Sequence, residues 1–496
     1  MKLSLSLIVL GACALLVALG WRSVRARRML HLTRLSARLS TSWLGAFVRR
    51  LFASKERRVH IDEARRRHEA QIVTETMGHM KGAVMKLGQM MSFISDEIPP
   101  EYRAALASLR TAAPPMDFPL LRDVAERELG MPLERAFARF DDKPIASASI
   151  GQVHRAELPT GEEVAVKIQY PGVAEAIAGD LDNVAMLYQM TSAMFPALDP
   201  APMVAEMRGR LLEELDYSRE ARSQRAFYDL YEDHPFIRVP RVYASHSTAR
   251  VLTTEFVAAR TFDEVLGDDE AARQRWSEIL YRFVFGSMVR YHVFNGDPHP
   301  GNYLFGDDGR MVFLDFGCVK YFPEPMMSDW TQLVSAHLRG DRAGFRARLV
   351  RLGFLTANSP VDEALAYEYF AYFYEPFHDD REFAFTAEYN RKSLKLIFAP
   401  DGRFAGMQKK LNMPPDFVFA NRIQWGVYSI LGQLGARGNW HRIDCEHRAG
   451  AAPSTELGRI DHEYRERWRA RRGLVGVDFH LSPDGPVRHE PPAPLA

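Results

Sequence analysis

Two short stretches, read together, constrain this chain more than anything else in its 496 residues. The first, IASASIGQVHRAELPTGEEVAVKIQY, reads as two strands joined by a turn, with Lys167 inside the second strand, sixteen residues after Gly151. The second, FNGDPHPGNYLFGDDGRMVFLDFGCV, sets Asp297 and Asn302 in D-x-x-x-x-N spacing and then puts Asp315 at the head of DFG, after the short apolar strand MVFL. Phosphoryl transfer needs a loop and a lysine that reach one polyphosphate, an acid that orients the attacking hydroxyl, and oxygen donors for Mg2+. A lone DFG occurs by chance; the ordered set of loop, lysine, D-x-x-x-x-N and DFG does not.

The loop itself departs from the usual phosphate cradle. If Ala146, Ala148 and Gly151 hold the places of G-x-G-x-x-G, with Ser147 and Ser149 between them, methyl groups stand where bare backbone is usual. A lysine of this kind needs a carboxylate to hold it, and the candidates in RLLEELDYSREARSQRAF are Glu214, Asp216 and Glu220. On a helix Asp216 and Glu220 share a face at i, i+4, whereas Glu214 and Asp216 point apart. Each acid taken singly also fits a solvated face paired with Arg219 and Arg222.

Composition narrows the class without naming it. A formal net charge of +1 gives no global bias toward nucleic acid, so no nucleic-acid partner is expected. Three cysteines, Cys13, Cys318 and Cys445, are too few and scattered for a disulfide framework. His441, Cys445 and His447 stand close in HRIDCEH, but no second cluster completes a zinc site, and His299 fits a hydrogen-bonding role better than a ligand role.

Electrostatic targeting is local. Leu3 to Trp21 is almost wholly apolar, long enough for a helix to cross a hydrocarbon core, and is read as an uncleaved anchor rather than a signal peptide. From Arg22 to His60 there are eleven Lys/Arg against the single acid Glu56, which puts the rest of the chain on the cytoplasmic or matrix side of a membrane. Within this segment Leu32, Leu35, Leu39, Trp43 and Phe47 recur at helical spacing. Such a helix suits an anionic lipid surface or packing on its own domain.

Further on, MGHMKGAVMKLGQMMSF places Lys86 and Gln89 on one helix face, with Gly82 and Gly88 slimming the helix for close packing. The expected organisation is then a membrane anchor (1–21), a basic amphipathic segment (22–60), a helical extension (61–115), a β-rich small lobe with a helix (116–257), a helical lobe with the catalytic loop and DFG (258–475), and a disordered tail (476–496). The fold class is α+β with two lobes.

The combination of K-x-G-Q, the alanine-rich loop, VAVK, Glu214-x-Asp216, G-D-x-H-P-G-N and DFG resembles the UbiB-type, AarF-domain atypical kinases linked to coenzyme Q and other isoprenoid lipids, over about Met77 to Val319. The resemblance implies a protein-kinase-like fold with an N-terminal K-x-G-Q extension, ATP or ADP as nucleotide, and Mg2+. It implies that Lys167 pairs with Glu220 and touches the α/β-phosphates, that Asp297 is the catalytic-loop acid, and that Asn302 and Asp315 hold Mg2+. Lys86 and Gln89 would cap the site and meet Glu214 and Asp216. The alanine loop is associated with ADP preference and suppressed autophosphorylation. The implied function is a membrane-anchored ATPase or atypical kinase, not a conventional protein kinase. Its expected partners are anionic lipid and an isoprenoid or quinone-like lipid or the enzymes that make it. A nucleotide-regulated scaffold and a small-molecule phosphotransferase are the alternatives. Asn295-Gly296 replaces His-Arg before Asp297, and no A-P-E segment follows DFG.

Overall fold

A computed structural model describes residues 116–174 except 149, residue 209, residues 213–398, residues 403, 404, 407, 411 and 412, and residues 414–482 and 485–488. The expected anchor, the basic segment, and the capping residues Lys86 and Gln89 lie outside the described residues, as does Ser149.

Helix α1, Phe118–Leu129, carries Pro119 in its first turn and stops where Gly130 turns left-handed at φ 70°. Its buried residues Leu121, Val124 and Ala125 recur at the three-to-four spacing of one helix face. A short helix α2, Leu133–Ala136, leads into β1 (Arg139–Ser147), β2 (Gly151–Glu157) and β3 (Glu163–Gln169). In β3, Val164, Val166 and Ile168 are fully buried, so the period-two alternation sets Lys167, half-buried, on the opposite face.

Helix α3, Tyr217–Tyr231, precedes β4 (Ile237–Arg238) and β5 (Val251–Glu255). Strands β1, β2, β3 and β5 form one sheet in that order. Then come α4 (Phe262–Val265) and the 22-residue α5 (Glu270–Tyr291). Asp269 caps α5 by accepting the Ala272 N–H, and the helix ends at His292, whose φ is 55°. From Trp276 to Met288 nearly every residue of α5 is buried, which marks it as the helix around which its neighbours pack.

Beyond α5 lie β6 (Val293–Asn295), β7 (Tyr303–Phe305), β8 (Met311–Phe313) and β9 (Val319–Tyr321). They form two small sheets, one in the order β4-β8-β7 and one pairing β6 with β9. The remainder is helical: α6 (Glu324–Leu338), α7 (Arg342–Arg351), α8 (Glu363–His378), α9 (Ala387–Phe398), α10 (Pro415–Leu434), α11 (Trp440–Arg448) and α12 (Glu456–Arg471), with β10 (Phe383–Ala384) paired to β11 (Arg437–Gly438). In the sequence Trp330, Leu333 and Val334, and then Phe345, Leu349 and Leu352, recur at helical spacings of three and four; the first five are buried, whereas Leu352, at the C-cap of α7, is only partly buried. Among the described residues no helix is long and apolar enough to cross a membrane.

One expectation is overturned. The sequence leads one to expect a disordered tail over 476–496, yet within it β12 (Phe479–Ser482) and β13 (Gly485–Arg488) form a hairpin, which corrects that expectation for the described residues. Phe479 and Leu481 are buried, and Phe479 stacks on Trp468 and packs on Tyr291. The prolines and charges around them hid two core-facing residues spaced for one strand face.

Two compact units account for the described chain. One holds the described residues up to Arg135, with Arg139–Arg155 and Lys167–Leu215; the other holds Ala136–Ala138, Ala156–Val166 and the chain from Asp216 onward.

Candidate active site

In the first unit the alanine-rich segment is mostly strand. Ala146 and Ser147 are exposed at the end of β1, and the turn proper is closed by the Ala148 N–H donating to the Gly151 carbonyl at 2.8 Å. Ala148 thus spends its amide hydrogen inside the turn, whereas a glycine-rich cradle offers such groups to phosphate oxygens. The fully buried Gln152 anchors the far side, bonded through both ends of its amide to the Met116 backbone. At the other end of the hairpin, Gln169 donates to the Leu215 carbonyl at 2.8 Å.

The stretch expected to carry three acids on one helix is broken. Glu213 and Glu214 are helical, Leu215 turns, and Asp216 is extended at φ -114°. Asp216 is the N-cap of α3, accepting the Ser218 N–H at 2.9 Å. Glu214 therefore lies on a different helical segment from Glu220, and Asp216 and Glu220 do not share the i, i+4 face that an unbroken helix would give. The tendency of aspartate to bond its own downstream amide outcompetes continuation of the helix.

Glu220 sits in the first turn of α3, on the buried face with Gln224 and Phe227. A methyl group placed on Gly317 would lie 3.3 Å from Glu220 Oε2 and 3.2 Å from Asp315 Oδ1. The carboxylate of α3 and the aspartate of DFG thus flank the same glycine. Asp315 Oδ1 accepts the Gly317 N–H at 2.9 Å, which curls the DFG turn back on its own first residue. Phe316 is buried against Phe227 of α3, ring centroids 5.0 Å apart, and Phe227 in turn meets Phe283 of α5.

Asp297 and Asn302 are brought together as their spacing requires. Asn302 Nδ2 donates to the Asp297 carbonyl at 3.0 Å and stands 3.4 Å from Asp297 Oδ2. A turn of 3-10 helix, Pro300–Asn302, makes this reach possible, and His299 fixes it by accepting the Gly301 N–H on Nδ1 at 3.1 Å. The Leu314 N–H donates to the Asn302 carbonyl at 3.0 Å, so the asparagine is bonded to the residue immediately before Asp315. Tyr303, buried beneath the loop, has its hydroxyl pushed well above the usual phenol range by burial and, to a smaller degree, by the Asp297 charge.

Sequence reasoning passed over Asn295, noting it only as a departure. Its Nδ2 donates to the Asp315 carbonyl at 2.8 Å, and the next residue, Gly296, donates its N–H to the Cys318 carbonyl at 2.7 Å. After DFG the chain runs directly through β9, pairs with β6 in the register Asn295↔Val319, and enters α6 at Glu324. Lys320 of β9 is held by Asp416 at 2.6 Å. These few residues leave no long segment between DFG and the following helix.

The donor set fits magnesium. Among the described residues no group of three His, Cys, Asp or Glu side chains could hold a metal ion. Asn302 and Asp315 would be the hard oxygen donors, and with the amide nitrogen of Asn302 engaged by Asp297, the side-chain oxygen is the atom of Asn302 that would face a metal. A site of one or two protein oxygens completed by substrate phosphates is the usual arrangement for Mg2+. His441, Cys445 and His447 do not converge in this way: His441 bonds the Phe377 carbonyl, Cys445 lies 3.6 Å from His441 Nε2, and His447 is buried against α5 near Gly286.

Comparison with known proteins agrees. The family model described as the ABC1 atypical kinase-like domain matches residues 108–348. Atypical kinase COQ8, mitochondrial, of Saccharomyces cerevisiae is 30% identical over 375 residues, covering 73% of this chain and 73% of that protein. Atypical kinase COQ8B, mitochondrial, of Danio rerio is 28% identical over 372 residues, covering 74% of this chain and 59% of that one. Among solved structures, one described as the complex structure of Rv3197-erythromycin from Mycobacterium tuberculosis aligns with a TM-score of 0.57 at 30% identity, covering 79% of this chain and 98% of that chain. The chain belongs to the ABC1 atypical kinase-like family, the atypical-kinase class to which its ordered motifs pointed.

Proposed function

We propose that this protein binds ATP or ADP with Mg2+ and acts as an atypical kinase or ATPase at a membrane surface, in support of isoprenoid quinone or lipid biosynthesis. The observation that supports the reading is that Asn302 bonds both Asp297 and the backbone of Leu314, the residue before Asp315, as a loop carrying an acid and two proposed metal donors would require. In this reading Asp297 orients and takes the proton of the attacking hydroxyl or water, and Lys167 and Glu220 keep the roles that the family resemblance implies for them. Magnesium held by Asn302 and Asp315 would offset the charge on the transferred phosphoryl group.

The short passage from DFG to α6 and the inward-bonded Ala148 amide both speak against a protein hydroxyl as acceptor. The proposed organisation keeps the membrane anchor at 1–21, the basic segment at 22–60, and the capping extension with Lys86 and Gln89 at 61–115. Anionic lipid and an isoprenoid or quinone-like lipid, or its biosynthetic enzymes, are the proposed partners. The catalytic part would face the cytoplasm or matrix.

The test is phosphate release from Mg-ATP by the full-length protein, with and without anionic liposomes, beside Asp315→Asn. Turnover that rises with lipid and disappears in Asp315→Asn supports the reading. Nucleotide binding without turnover favours a nucleotide-regulated scaffold, a reading that the closed Ala148 turn also supports.

A further inference from the structure

We infer that Asn295 is the positioning residue for Asp315: its side-chain N–H sets the metal-holding aspartate relative to the loop that carries Asp297 and Asn302. This inference rests on the nucleotide and magnesium reading given above.

The argument starts from strand chemistry. Asn295 closes β6, and asparagine is a poor strand residue because its side chain competes for backbone partners. Here it also carries a cost: among the described residues its Oδ1 is buried with no hydrogen-bond partner. A valine or leucine would pair in the same register without either penalty. What asparagine adds is one contact, Nδ2 to the Asp315 carbonyl at 2.8 Å.

That contact completes a clamp. The DFG segment is held at 318 by the Gly296 N–H, at 317 by Asp315 Oδ1, and at 315 by Asn295. The two holding residues, Asn295 and Gly296, immediately precede Asp297, so the stretch that delivers the acid also fixes the plane of the Asp315 peptide, through the Asn295 side chain. The Leu314 N–H bonded to Asn302 restrains the residue before it. Release of Asn295 would free the peptide plane of Asp315 while leaving the β6–β9 pairing intact, because that pairing uses backbone groups only. The consequence falls on the carboxylate and thus on metal binding rather than on the nucleotide as such.

The experiment measures ATP affinity of the full-length protein by calorimetry, once with excess magnesium and once with EDTA, for wild type, Asn295→Leu and Asn295→His. Thermal midpoints of the unliganded proteins accompany the titrations. Asn295→Leu should weaken binding with magnesium roughly tenfold, the loss of one hydrogen bond, and leave the EDTA affinity unchanged. Asn295→His, which keeps a ring N–H, should recover most of the loss. Equal weakening in both conditions, or no weakening, overturns the assignment. If Asn295→Leu does not fold, Asn295→Asp has the same shape without the donor and is judged by the same ratio. A wild type that gains nothing from magnesium overturns the nucleotide and metal reading itself, whereas a wild type with the gain and an Asn295→Leu that keeps it overturns only the role of Asn295.

Discussion

Phe316 rests on Phe227, ring centroids 5.0 Å apart and tilted by 47°, and this contact ties the DFG segment to the helix that carries Glu220. Phe227 lies seven residues after Glu220, two helical turns along the same face, so the ring and the carboxylate approach the segment together. A double-mutant cycle of Phe227→Leu and Phe316→Leu should show a coupling of about 1 kcal/mol in chemical denaturation, the scale of a buried aromatic pair. Additive effects would mean that the two rings are only neighbours.

Gly317 has no room for a side chain without pressing on two carboxylates, Asp315 at 3.2 Å and Glu220 at 3.3 Å. Gly317→Ala should therefore reduce affinity for the magnesium-nucleotide complex by roughly tenfold, with a stability change of about 1 kcal/mol or less, because the neighbours give by a few tenths of an ångström. Nucleotide titration beside a denaturation curve separates the two effects.

Acid should loosen the helical part through buried histidines. His337 is fully buried, stacks on Tyr367 at 4.1 Å, and faces Phe345, Tyr374 and His378; burial, with a small contribution from His378, pushes its pKa down to about 4. The folded pKa lies below the ordinary 6.5, so between those values the unfolded chain binds more protons. Stability should fall as pH drops from about 6.5 toward about 4. His234 and His447, also buried with lowered pKa, act in the same direction. The urea midpoint of His337→Phe should change less between pH 7 and pH 5 than that of wild type, as urea unfolding at the two pH values would show.

The terminal hairpin should be a structural part of the helical unit. Phe479 packs between Trp468 and Tyr291, and Phe479→Ala should cost about 3 kcal/mol in thermal or chemical unfolding. A change below about 0.5 kcal/mol would return the segment to the status of a tail.

Arg282 of α5 is almost wholly buried, with Glu446 at 2.7 Å and Glu278 at 2.7 Å. Glu446 also accepts the Ser454 N–H at 2.7 Å, so removing it takes one of two carboxylates from the buried guanidinium, which keeps Glu278 and the Thr455 hydroxyl, and leaves a loop amide without its acceptor. Glu446→Ala should destabilise the protein by about 3 kcal/mol or more, whereas Arg442→Ala, whose partner Asp380 is exposed, should cost less than about 1 kcal/mol. Paired urea denaturation curves check the contrast.

The chain's order of chemistry was legible without a structure. VAVK, D-x-x-x-x-N and DFG name residue types whose reactivity depends on local spacing, and the strands and turns that present them follow from alternation and from Gly/Pro breaks. The break at Asp216 and the buried faces of Phe479 and Leu481 were not legible, because each depends on which of two locally acceptable conformations finds a partner. The same holds for Asn295 and Asp315, twenty residues apart, and for Phe227 and Phe316, separated by α5. Spacing determined which groups could do the chemistry; tertiary packing decided which of them touch, because a hydrogen bond or ring contact between distant segments is fixed by the register of strands and helices and not by any local motif.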